Sequence, residues 1–314
     1  MTILLTALGL AFIVLTLRDI FHTLFAPSGT GAMSSFAARH VWRAFRRFAR
    51  HRSGMLALAG PLGLLCIIAL WALALILGWA LIIWPHLPEG FLLAPGMEPD
   101  QNGGFLTAFY LSLVTLATLG YGDITPKSSW LRILVSAEAV VGFALMTAAI
   151  SWILSVYPVL ARRNHLAREV LLLRRSERHG SITLTGTANQ GLDAVLLNLT
   201  DQVIAFQNDL AQSPITYYFY NANPHSAIEV ALPELASIAR DARDDHSPSV
   251  RFQAALLLEA LTELASYLGE TFLEGEAETL EEMLTAYAAD HGRELSDAAG
   301  EDDVAVDART ERLR

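Results

Sequence analysis

Three long apolar runs constrain this chain more than any other feature. They span about residues 2–17 (extending towards Phe25), 60–84 and 131–157. Each can cross a bilayer, for which a helix needs roughly 20 residues. A fourth apolar stretch, Phe105 to Ala117, leads into Thr118-Leu119-Gly120-Tyr121-Gly122-Asp123. Residues 105–122 are too few to cross and return, so they read as a half-helix plus a loop. Irregular backbone at membrane depth survives only when buried in protein or lining a water-filled path. A content of 53% hydrophobic residues and a mean hydropathy of +0.38 are high for a soluble protein and support a membrane protein. Arg18, Asp19 and His22 interrupt the end of the first run, which lacks a basic leader and a small-residue cleavage site and reads as a retained helix. The one cysteine, Cys66, forms no intramolecular disulfide and reads as a small core or lipid-facing residue.

The hexapeptide 118–123, with Ala108-Phe109-Tyr110 before it and Ile124-Thr125-Pro126 after it, resembles the pore helix and filter of the potassium channel family, whose filter is written TVGYG. Leu119 stands where valine is usual. The resemblance implies a cage of backbone carbonyls that replaces the water around a potassium ion. Successive carbonyls share one axis only if the backbone alternates between right- and left-handed conformations, which glycine tolerates best. Gly120 and Gly122 occupy alternate positions as required. The Thr118 hydroxyl is expected to add an inner ring of oxygens, Tyr121 to brace the filter from behind, and Asp123 to concentrate cations at the outer mouth.

One pore loop per chain implies four chains around an axis, a homotetramer. This separates the chain from uptake transporters that carry four degenerate loops. The inner helix, Leu131 to Tyr157, is expected to line the cavity below. Gly142 resembles the hinge glycine of such helices; it reads either as a gating bend or as a site of close packing near Ala139 or Met146. Glu138 is an ionisable group two turns into an apolar helix. It reads as support for the filter, as a partner across a subunit interface, or as a carboxylate that reaches water. Some relatives place a pore-helix glutamate against the outer aspartate; here Val114 occupies that position. The layout, including Asp19-Ile20-Phe21-His22-Thr23-Leu24-Phe25, is similar to a group of bacterial channel-like proteins. The first helix has no arginine at every third position, so no voltage sensor is expected.

Arginine placement sets the expected topology. Arg39, Arg43, Arg46, Arg47, Arg50 and Arg52 follow the first crossing, and Arg162, Arg163, Arg168, Arg174, Arg175 and Arg178 follow the third. The loop 85–104 has no Lys or Arg. Both basic stretches therefore belong in the cytoplasm, with the N-terminus outside. Residues 34–52 read as a basic amphipathic helix, with Ala38, Val41, Trp42, Phe45 and Ala49 on one face, lying among headgroups. It reads as a topology anchor or as a sensor of anionic lipid. Arg18, Asp19 and His22 read as an intramembrane polar cluster or a packed salt bridge.

Charge reverses near His179. Residues 1–178 hold 15 Lys and Arg against 8 Asp and Glu; residues 179–314 hold 7 against 24. Leu192, Val195, Leu196, Leu199, Val203, Phe206 and Leu210 repeat at helical spacing. Ser247-Pro248 opens a helix to Leu268, Glu270 to Tyr287 forms another, and Pro214 to His225 is a structured loop. Disorder is expected from about Leu295. No strand–GxGxxG–helix unit appears. Asp241, Asp244, Asp245 and His246 read as a metal cluster or a solvated acidic helix end. Asn198-Leu199-Thr200 is a sequon by spelling alone on a cytoplasmic segment.

The expected fold is an all-α membrane protein. It comprises an N-terminal helix (1–26), an interfacial basic helix (34–52) and a pore domain (53–157). A basic linker (158–178), a helical cytoplasmic domain (179–294) and an acidic tail complete it. The expected function is passive, potassium-selective conduction through Thr118, Leu119, Gly120, Tyr121 and Gly122. Potassium is the permeant ion, and neither a cofactor, an enzymatic activity nor a nucleic-acid partner is expected. A weakly selective cation channel, and a ligand-binding or scaffolding module with the pore as its output, are the alternatives.

Overall fold

The computed structural model describes residues 1–26, 31–49, 53–98, 102–180, 191–273 and 277–293. It is an all-α protein with, among the described residues, three helices long and apolar enough to cross a membrane. In chain order the helices are α1 (Thr2–Phe25), α2 (Ala32–Ala49), α3 (Ser53–Leu56), α4 (Ala59–Ile83), α5 (Phe105–Leu116), α6 (Ser129–Gly180), α7 (Leu192–Gln212), α8 (Ile228–Arg243), α9 (Pro248–Thr271) and α10 (Leu280–Asp290). Two short strands, β1 (Phe91–Leu93) and β2 (Ile124–Pro126), pair antiparallel, with Leu92 opposite Thr125. The chain divides into two compact units, residues 1–41 with 61–156 and residues 42–60 with 157–314.

In the first unit α1 and α4 cross at two glycines. A Cβ on Gly78 would stand 2.8 Å from Ile13 Cγ1 and 2.9 Å from the Gly9 carbonyl, so only glycine lets these backbones approach. Trp71 is wholly buried and packs its ring 5.4 Å from that of Trp152. Beneath the pore loop, Ala80, Ile83, Phe91, Ala108, Leu111, Val114, Ile124 and Leu131 form one apolar cluster.

Asp19 lies within apolar α1 yet is only 5% exposed. Arg18 and His22 point outward, so the expected polar cluster or salt bridge does not form. Asp19 instead accepts from the backbone amides of Met33 (2.8 Å) and Ser34 (3.2 Å), the Ser34 hydroxyl (2.6 Å) and the Trp71 indole (2.8 Å). It thereby caps the first turn of α2, whose amides have no partner in their own helix.

The second unit is a helical bundle in which α9 packs against α7, α8 and α10. Leu196, Leu199, Leu257, Leu261 and Leu264 are fully buried at its centre. Residues 214–226 form two 3-10 turns, Pro214–Tyr218 and Pro224–Ser226. Glu270 to Tyr287 is not one helix. α9 ends at Thr271, and α10 begins at Leu280 behind a capping box, in which Thr279 and Glu282 satisfy each other's backbone amides.

Two further expectations change. Residues 158–178 are not a separate linker: α6 runs for 52 residues from Ser129 to Gly180, through Pro158. Hydropathy ends near Tyr157, but the following Ala-, Leu- and Arg-rich sequence has no glycine before Gly180 and keeps its helical bonds. The apolar face of α2 does not lie among headgroups. Trp42 is 3% exposed and packs on Tyr217, Tyr218 and His291, and its indole donates to Asp290 (2.9 Å), which also pairs with Arg46. Arg39, Arg43, Arg46 and Arg47 are exposed, whereas Arg50, Arg52 and the tail from 295 lie outside the described residues.

Candidate functional site: the pore loop

The site begins at the C-terminal end of α5. The Val114 carbonyl accepts from both Leu119 N (2.8 Å) and Gly120 N (3.2 Å), and Thr115 O accepts from Thr118 N (2.9 Å). These bonds fold the loop back on its own helix. Three alternate residues then adopt the left-handed region: Thr118 (φ 58°), Gly120 (φ 51°) and Gly122 (φ 78°). Thr118 is the one non-glycine residue with positive φ among the described residues. A β-branched side chain there costs about 1–3 kcal/mol, and such strain concentrates at functional sites. Among the described residues no hydrogen bond of the chain ends on a carbonyl of Thr118 to Gly122. Five successive carbonyl oxygens are thus left without a donor, a state that buried backbone tolerates only when another partner is supplied.

The outer end of the loop is anchored. Asp123 O accepts from Ala94 N (2.8 Å), β2 follows at once, and Lys127 N donates to Gly90 O (2.9 Å). The Tyr110 hydroxyl donates to Asp123 Oδ2 at 2.7 Å, tying the pore helix to the mouth. Sequence reasoning noted the missing glutamate at Val114 but not this bond, whose signal is the 13-residue spacing between a helix tyrosine and the aspartate.

Gly142 packs against the same end of α5. A Cβ there would stand 2.7 Å from the Leu116 carbonyl carbon and 2.9 Å from its Cα, with the carbonyl oxygen nearer still. Of the two readings of Gly142, this geometry supports close packing. Glu138 is fully buried, which excludes the reading in which it reaches water. It faces Ser112 of α5, also fully buried, and neither side chain has another polar partner among the described residues. Leu119 and Tyr121 are 56% and 67% exposed, so the Tyr121 ring is not braced by its own chain. Cys66 is exposed on α4.

Asp241 accepts from Arg174 (3.4 Å) and Asp245 from Ser247 N (2.8 Å) ahead of α9. Among the described residues no group of three His, Cys, Asp or Glu side chains is placed to hold a metal ion.

A half-helix, a loop with unpartnered carbonyls and two flanking apolar helices define the pore domain of an ion channel. Residues 65–157 match the family model Ion_trans_2, described as ion channel. The chain is 25% identical over 154 residues to the "Uncharacterized membrane protein YdjJ" of Bacillus subtilis, covering 49% of this chain and 44% of that one. It is 26% identical over 135 residues to the "Putative potassium channel protein RPA4233" of Rhodopseudomonas palustris, covering 41% of this chain and 31% of that one. The chain thus spans less than half of either relative. No solved structure matches.

Proposed function

We propose that the chain is one subunit of a tetrameric, potassium-selective channel that conducts passively through the carbonyls of Thr118 to Gly122. The observation that carries this reading is the alternating left-handed backbone at 118, 120 and 122, together with carbonyls that no intrachain donor reaches. Four such loops around an axis supply rings of oxygen in place of water. Asp123 gathers cations at the entrance. The exposed Leu119 and Tyr121, and a cleft of about 370 Å³ lined by Leu111, Thr115, Thr118, Val135 and Ala139, are surfaces that a neighbouring copy would cover.

The arginine asymmetry supports a cell-membrane protein whose C-terminal helical unit faces the cytoplasm and regulates the pore. Glu138 and Ser112 support the filter from behind. Any response to anionic lipid draws on the exposed Arg39 and Arg47, because Arg46 is engaged by Asp290. The test is the reversal potential of the purified protein in a planar bilayer with potassium on one side and sodium on the other. Reversal close to the potassium equilibrium potential is expected; robust current reversing near zero would replace the reading with a weakly selective cation channel.

A further inference from the structure

His291 closes the C-terminus of α10 and is fully buried. Its Nδ1 lies 3.1 Å from the Tyr287 carbonyl and its Nε2 lies 2.9 Å from the Tyr217 carbonyl. Both partners are acceptors only. A neutral imidazole has one donor and one acceptor nitrogen, so it would turn a lone pair towards one of these oxygens; only the doubly protonated ring satisfies both.

Three further features favour the cation. It sits at the negative end of a helix dipole. Its ring lies 5.0 Å from that of Trp42, within cation–π range. Glu229 of α8, also fully buried, places Oε1 4.0 Å from Nε2 and has no hydrogen-bond partner among the described residues. Among the described residues, the other charged or titratable groups near the ring include Tyr217 and Tyr218 on their 3-10 turn, Tyr287 and Asp290 on α10, Arg293 two residues beyond His291, Arg46 on α2 and Arg163 on α6. Asp290 is committed to Trp42, Tyr217 and Arg46, and Arg163 to the carbonyls of Thr216 and Phe219. Burial and nearby carboxylates push the Tyr217 and Tyr287 hydroxyls up, so both stay neutral.

We propose that His291 is a proton-operated latch, which in its doubly protonated form clamps Trp42 of α2 into the C-terminal unit and loosens it when a proton leaves. The grip on α2, and with it the regulation of the protein, then follows the pH of the compartment around that unit.

The test is hydrogen–deuterium exchange of the full-length protein in lipid nanodiscs, read on residues 38–49 and corrected for intrinsic exchange rates. Protection of this segment is expected to fall about tenfold between about pH 6 and about pH 8, the scale of losing one charged hydrogen bond. His291→Gln should sit at the weakly protected level at both pH values. Glu229→Gln should move the wild-type transition to lower pH, and it decides the matter alone if His291→Gln does not fold. Equal wild-type protection at both pH values, a pH response that persists in His291→Gln, or an unmoved transition in Glu229→Gln would overturn the latch. The readout does not depend on which ion passes, so its failure and the failure of potassium selectivity are separate results.

Discussion

Replacing Gly142 with alanine separates a hinge from a packing site. In isolation the change favours the helix by about 1 kcal/mol, because glycine is a poor interior residue. In place, the new Cβ would meet the backbone of Leu116 at 2.7 and 2.9 Å, where ordinary contact begins near 3.4 Å. The obstacle is main chain, so α5 and α6 must separate by about 1 Å, a strain of about 1–3 kcal/mol. Leu116 lies two residues before Thr118, and functional geometry is held within about 0.5 Å when it works. The displacement therefore reaches the carbonyl column. Gly142→Ala is expected to move the reversal potential under opposed potassium and sodium towards zero, and to lower the thermal stability of the purified protein. A variant that keeps its reversal potential and stability while only its open probability falls would refute the packing argument and restore the hinge.

Other expectations follow from individual contacts. Tyr110→Phe removes the 2.7 Å bond to Asp123, a loss of about 1 kcal/mol, and should make current decay faster under sustained opening without reducing expression. Asp19→Asn leaves four donors facing an amide that can accept through one oxygen only. It should lower thermal stability by about 2–4 kcal/mol, with Asp19→Ala worse, measured by unfolding in detergent. The Glu282 carboxylate is held below its ordinary value by the backbone amides of Glu278 and Thr279. Its contribution to α10 is complete above the ordinary glutamate range and is lost as pH falls through the lowered folded-state value. An acid titration of helicity should show this loss, and Thr279→Ala, which removes the other half of the box, should blunt it.

The pore loop was legible because its determinants are local. Six consecutive residues demand an alternating backbone, and the apolar runs around them set helix lengths. The extent of α6 was not legible, because hydropathy marks where a membrane could end rather than where a helix does. Nothing in 158–178 breaks the helix except Pro158, which it accommodates. The amphipathic pattern of α2 identified a buried face but not what buries it. Trp42 meets Asp290 from 248 residues away, and no periodicity reports that distance. Asp19 and His291 were opaque for the same reason. Each gains its meaning from partners on other elements, and a buried ionisable residue in sequence signals only that some partner exists.

The cap that Asp19 provides to α2 also bears on the order in which the chain is built. A helix that carries its own capping residue can close its first turn as soon as it is synthesised. α2 borrows its cap from α1, and the Trp71 indole on α4 holds that same carboxylate in place. Its first turn is therefore complete only after two apolar helices have met at their shared glycine crossing. The order of the start of α2 therefore reports that the apolar helices α1 and α4 have packed together.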